Sequence, residues 1–255
     1  MTASPLLDRS LGDLARSIPG ATAIFHQHQL DFCCGGKQSL RDAVAPLALD
    51  AESLARQLEA LGGLADVQQR DWREACVRDL TEHLVARYHE RHRQQLPELI
   101  RLARRVEMVH ADRPECPHGL ADHLEDMQRE LESHMQKEEQ ILFPMLNHGT
   151  PPIGLPPVEV MRFEHEQHGQ ALARMVELAH GLVQPRGACN TWRALLAGLH
   201  TLREDLMQHI HLENNILFEG LNASSAGCDE GCACAGTAAS GISTSGVSTS
   251  GTGHA

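Results

Sequence analysis

The sequence predicts an all-α protein whose main body is an up-down four-helix bundle. Three observations carry this. Aromatic residues are only 3% of the chain, while Leu, Ala, Glu, Arg and Gln abound; strands collect aromatic and β-branched side chains, so this mix favours helix. Two phrases each occur twice at nearly one offset, the mark of a duplicated unit. Four long helical segments are separated by short breaks rich in Pro and Gly, a pattern that makes antiparallel neighbours.

Residues 1–65 read as a small helical module. Leu6, Leu7, Leu11, Leu14 and Ile18 form one helical stripe that ends at Pro19-Gly20. A second helix, 21–30, runs into Asp31-Phe32-Cys33-Cys34-Gly35-Gly36, where the paired glycines stop a helix and turn the chain. A third starts near Ser39 and a fourth covers 50–61, with 65–70 as linker. The bundle follows over 71–221, in segments 71–110, 118–146, 157–183 and 189–221. Pro97 lies inside the first of these and should kink it. Residues 222–255 are Ser, Gly, Thr and Ala with almost no large apolar side chain, a composition that cannot build a core and predicts disorder. Cys228, Cys232 and Cys234 fall in this tail and lack a fourth ligand nearby, so incidental thiols are favoured over a metal or redox site.

The net charge of −12 argues against a nucleic-acid partner, which needs a basic face. No apolar run approaches membrane-spanning length. The start, MTASPLLDRSLG, has neither a basic head nor an apolar stretch, so no signal peptide is expected. Eight cysteines without an export signal suggest reduced thiols and a cytoplasmic setting.

The doubled phrases carry the chemistry. SHMQKEEQILFPML (133–146) returns as QHIHLENNILFEGL (208–221), and HERHRQQL from His89 returns as HEQHGQAL from His165. The offsets are 75 (209 − 134) and 76 (165 − 89). His134 and Glu138, like His209 and Glu213, sit four apart and so share one helix face. A bundle would bring these pairs to one level with His89 and His165. Four imidazoles and two carboxylates suit iron or manganese. Each carboxylate could bridge two ions, leaving two imidazoles per ion and room for a small ligand. Glu130, one turn before His134, and Glu164, directly before His165, are the candidates to orient imidazoles or line a polar route for protons or ions. With seventeen histidines in the chain, most of the others read as surface or partner-satisfied residues, with His92 and His168 as candidates for outer contacts. Adjacent Cys33 and Cys34 cannot form a low-strain disulfide with each other; they are either an exposed reactive pair, for transient metal binding and iron transfer or for disulfide exchange with a partner, or small side chains packing the module.

The stretches DFCCGGK, RYHERHRQQLPELI, VHADRP, SHMQKEEQILFPM and HIHLENNILF, long and in order over residues 8–221, resemble the repair of iron centres family, the YtfE/ScdA type of di-iron protein. The resemblance implies an N-terminal module with the Cys33–Cys34 pair and a hemerythrin-like bundle holding two oxo- or hydroxo-bridged non-haem irons. Their ligands would be His89, His134, Glu138, His165, His209 and Glu213, with Glu138 and Glu213 bridging. It implies repair of iron–sulfur clusters damaged by oxidative or nitrosative stress, by iron donation. The partners would be the damaged iron–sulfur proteins, and a homodimer is admitted. Two other readings of the same site are nitric oxide reduction and the binding of nitric oxide or oxygen, so whether the chain is an enzyme stays open.

Overall fold

The computed structural model describes residues 4–18, 20–33, 35–62 and 71–220. Cys34, the 65–70 linker, and the 222–255 tail with Cys228, Cys232 and Cys234 lie outside the described residues. Apart from one isolated bridge between Ser10 and Ser39, the described residues are helices and their connections. None of those helices is long and apolar enough to cross a membrane.

In the module, α1 (Leu11–Ser17), α2 (Ala21–Gln27), α3 (Leu40–Val44) and α4 (Ala51–Gly62) follow one another. The expected first stripe is broken in two, a 3-10 turn Pro5–Asp8 and then α1, because the Ser10 side chain accepts from Asp13 N–H and starts a new helix there. Ser39 caps α3 in the same way through Asp42 N–H.

The bundle is four rods. The first joins α5 (Val77–Leu84) to α6 (Glu90–Val109); the second joins α7 (Leu120–Lys137) to α8 (Phe143–Asn147); the third is α9 (Pro156–Leu178); the fourth is α10 (Asn190–Leu212). The helix α6 runs unbroken from Glu90 to Val109 with Pro97 inside it. Around the bundle, α6 lies between α7 and α10, and α9 closes the ring between the same two.

Three rods contain something the apolar periodicity does not predict. Five-residue π-helical turns occupy Val85–His89, Glu138–Leu142 and Glu213–Leu217. They are closed by Glu90 N–H, Phe143 N–H and Phe218 N–H, each donating to a carbonyl five residues back. One has a visible cause: Pro144 has no N–H to give the Gln140 carbonyl, so the α-helical ladder cannot continue there. Each of the three turns begins or ends on a residue of the repeated His/Glu pattern.

A layer of buried polar side chains crosses the bundle between two apolar clusters. On one side lie Leu84, Leu142, Met161, Leu217 and Phe218; on the other lie Leu96, Leu131, Leu172, Leu206 and Ile210. The second cluster continues without interruption into the module, through Phe25, Phe32, Leu40 and Leu54. The module sits on the fourth rod, with α1 against the Glu213–Leu217 turn. Two glycines allow the close approach. A Cβ on Gly12 would lie 2.6 Å from Asn215 Oδ1, and one on Gly36 would lie 3.4 Å from the same atom and 2.6 Å from the Phe32 carbonyl oxygen of its own loop.

Candidate metal centre

The six residues singled out by the duplication converge in the polar layer. His89, Glu138, His165, His209 and Glu213 are fully buried and His134 is nearly so. Their ligand-type atoms form two overlapping sets: His89, Glu138, His209 and Glu213 in one, His134, Glu138, His165 and Glu213 in the other, each within 4.8 Å. Both carboxylates belong to both sets. The Nε2 atoms of His89 and His209 approach to 3.1 Å, as do those of His134 and His165, so each pair faces one point. The carboxylates lie beside them, with Glu213 Oε1 3.1 Å from His209 Nε2, Glu213 Oε2 3.1 Å from His165 Nε2, and Glu138 Oε1 3.3 Å from His134 Nε2.

The electrostatics fit a pair of cations. Neither oxygen of Glu138 receives a hydrogen bond among the described residues, although both are buried, and a carboxylate left so is costly unless a positive charge is supplied. Burial and the facing Glu213 raise the Glu138 carboxyl above its ordinary value. Burial would raise Glu213 too, but the His209 and His165 imidazoles more than reverse it and hold that carboxyl low. Burial would lower His134, yet Glu138 and Glu164 push it up to about 10. Burial, with His209 adding to it, pushes His89 down to about 2. The carboxylates around His134 thus favour positive charge at this level of the bundle. Iron or manganese matches this mixed nitrogen and oxygen set.

The outer nitrogens of the imidazoles show how the layer is held. His89 Nδ1 donates to Glu139 Oε1 at 2.7 Å, His134 Nδ1 to Glu164 Oε2 at 2.9 Å, and His165 Nδ1 to Asn214 Oδ1 at 2.9 Å. Such acceptors fix the ring and its tautomer and raise the basicity of the inner nitrogen. Glu164 is further paired with Lys137; its hydrogen bond from His134 and its bond from Lys137 hold its carboxyl down at about 2, against the opposing effect of burial. Glu130 takes no part in holding an imidazole: it is exposed and lines a cleft with Ser133, Lys137, Glu164 and His168. His92 and His168 are buried against the site, with ring centroids 5.4 Å from His209 and 4.9 Å from His134. Burial pushes His92 down to about 3, so it is neutral.

Sequence reasoning missed Glu139 and Asn214. The signal was present: they follow Glu138 and Glu213 and are related by the same 75-residue offset (214 − 139). Asn214 does a second thing. Its Nδ2 donates to the Cys33 carbonyl at 3.1 Å, while Asn215 Nδ2 donates to the Phe32 carbonyl at 3.2 Å. One side chain therefore ties the cysteine loop to the His165 imidazole. Cys33 itself is buried, and its backbone N–H and thiol both donate to Asp31 Oδ1, at 3.1 and 3.3 Å. Cys33 is thus packed into the module, at the edge of two clefts.

Comparison with known proteins agrees with the geometry. The family model described as the hemerythrin HHE cation binding domain matches residues 80–221, and a domain of unknown function, DUF542, matches residues 7–62. An iron-sulfur cluster repair protein YtfE of Pectobacterium carotovorum subsp. carotovorum is 50% identical over 211 residues, covering 83% of this chain and 95% of its own length. Those of Pectobacterium atrosepticum and Yersinia pseudotuberculosis are similar to the same extent. On these matches the chain belongs to the hemerythrin HHE cation-binding family and, within it, to the YtfE group of iron-sulfur cluster repair proteins.

Proposed function

We propose that this protein repairs iron–sulfur clusters damaged by oxidative or nitrosative stress, using a two-iron centre held by His89, His134, Glu138, His165, His209 and Glu213. The observation that carries the reading is the pair of overlapping ligand sets sharing both carboxylates. Glu138 and Glu213 would bridge, with His89 and His209 turned to one ion and His134 and His165 to the other. The bound irons would supply a releasable store of metal and open positions for nitric oxide or oxygen. The chain's own part is to hold the imidazoles by Glu139, Glu164 and Asn214, to exclude bulk water with Leu142, Phe143, Phe218 and Met161, and to keep a cysteine loop attached to one ligand. The clients are iron–sulfur proteins, as the name of the relatives states for them, and the setting is cytoplasmic.

The test is reactivation of a cluster-containing dehydratase inactivated by nitric oxide, using protein loaded with iron in the absence of oxygen. Iron-loaded protein should restore activity, and the double variant His89→Ala/His165→Ala, emptied of iron, should not. Equal repair by the emptied variant would rule out donation from this site. Sustained formation of nitrous oxide from nitric oxide and a reductant would instead favour the enzymatic reading of the same centre.

A further inference from the structure

The duplication sets out four places for an acceptor behind the four imidazoles, and only three are filled in the same way. Glu139 stands behind His89 and its repeat mate Asn214 behind His165. Glu164 precedes His165 and stands behind His134. Its repeat mate is Tyr88, which precedes His89 and faces His209. There the phenol ring lies flat against the imidazole, with centroids 5.6 Å apart and planes within 6° of parallel. His209 is fully buried, and among the described residues nothing accepts from its Nδ1. The substituted position thus carries a phenol where its repeat mate carries a carboxylate.

From this we infer that Tyr88 makes the two metal positions unequal, the ion at His89 and His209 being the more weakly held and the first to leave. The inference rests on the two-iron reading above. An outer acceptor raises ligand basicity and orients the ring, and losing one costs about 10–100-fold in metal affinity. The rest of the surroundings cancel: each ion shares Glu138 and Glu213, and each pair of imidazoles has one outer carboxylate, Glu139 or Glu164. Only the fourth acceptor differs, Asn214 on one side and an aromatic face on the other. Tyr88 is also the wall between this ion and solvent. Its outer side lines a cleft of about 380 Å³ with Trp72, His83 and Gln208; Trp72 stacks on His83 with centroids 4.2 Å apart, and His83 meets Tyr88 edge-on at 5.6 Å. The weaker position thus lies behind an aromatic wall, and the stronger one behind the Glu164–Lys137 pair.

The experiment is release of ferrous iron from the full, iron-loaded chain to a colorimetric ferrous chelator without oxygen, followed by absorbance. The wild type should lose its irons in two phases of equal amplitude, with rates about tenfold or more apart. Tyr88→Glu, which puts the acceptor back, should slow the fast phase toward the slow one, and Tyr88→Phe should leave both phases in place. Glu164→Tyr, the reciprocal change, should speed the slow phase. It decides the matter alone if Tyr88→Glu does not fold. A single rate for two irons in the wild type, or a slow phase untouched by Glu164→Tyr, would overturn the inference and leave the two-iron reading standing. Fewer than two irons per chain at the outset would overturn the two-iron reading itself.

Discussion

Replacing Asn214 by leucine separates what holds the fold from what holds the metal. Leucine keeps most of the volume and removes both polar ends. His165 Nδ1 then loses its acceptor at 2.9 Å and the Cys33 carbonyl its donor at 3.1 Å. Both partners are buried, and a buried group left unpaired costs about 1–3 kcal/mol. The fold should therefore lose about 2–4 kcal/mol, a fall in Tm of about 10 °C for a chain of this size. Asn215→Leu is the control. It also removes a bond to the cysteine loop, from Asn215 Nδ2 to the Phe32 carbonyl, and a contact to His211 Nδ1, but it touches none of the six inward-facing ligands. Thermal unfolding followed by circular dichroism reads the first effect, and chelator competition on iron-loaded protein reads the second. Both variants should melt early, while only Asn214→Leu should lose about 10–100-fold in metal affinity. Equal iron affinity in the two variants would refute the orienting role of Asn214.

Three further outcomes follow from the packing. Asp205 is buried and receives bonds from Arg87, Arg91 and Gln95 at 2.9, 2.6 and 2.8 Å, so Asp205→Asn should cost about 2 kcal/mol at neutral pH in urea unfolding. Burial opposes but Arg91, Gln95 and Arg87 win, holding its carboxyl below the ordinary value; the difference from wild type should be full above about pH 4, where an unfolded aspartate is charged, and vanish as the pH falls through the lower folded value. Gly36→Ala would place a Cβ 2.6 Å from the Phe32 carbonyl oxygen, a backbone atom that cannot swing away; it should destabilise by about 1–3 kcal/mol and speed alkylation of Cys33, read by mass spectrometry. Trp192→Ala, at a position only 2% exposed within the far apolar cluster, should cost about 3–5 kcal/mol yet leave iron bound per folded chain unchanged.

The sequence reveals the bundle because punctuation and composition are local properties, and the convergence of six side chains because a duplication copies register along with residues. It does not reveal the π-helical turns. Each inserts one residue into the ladder, and a stripe of apolar residues at 3.6 spacing reads the same within a turn either way. Nor does it separate Glu139 from the charged residues of a solvated face: Glu139 is partly exposed and also pairs with Arg93, as a surface glutamate would. Glu130 has better spacing to His134 than Glu164, one turn away on its own helix, but its side chain points to solvent. The residue that reaches His134 comes from the neighbouring rod. Spacing along one helix predicts shared faces; it does not predict which neighbour supplies the outer acceptor.

The two halves of the duplication differ where the module lies on one and not the other, and this accounts for the acceptor residues themselves. Gln136 is exposed and its mate His211 is buried; Ile141 is 52% exposed and its mate Ile216 only 7%. The second rod faces water and the fourth faces the module. At the acceptor position the second rod carries Glu139, whose charge is tolerable because solvent and Arg93 reach it. The fourth rod carries Asn214, 6% exposed, where a second carboxylate would face the Cys33 carbonyl oxygen in place of the amide that donates to it, a costly burial. An amide meets both demands: its oxygen accepts from His165 and its nitrogen donates to the cysteine loop. Covering one rod thus converts a solvated charge into a neutral bridge, and the module becomes part of what orients a ligand. On this argument the cysteine loop and the metal layer form one hydrogen-bonded unit, so a change in the loop is felt first at His165, on the side of the more firmly held ion.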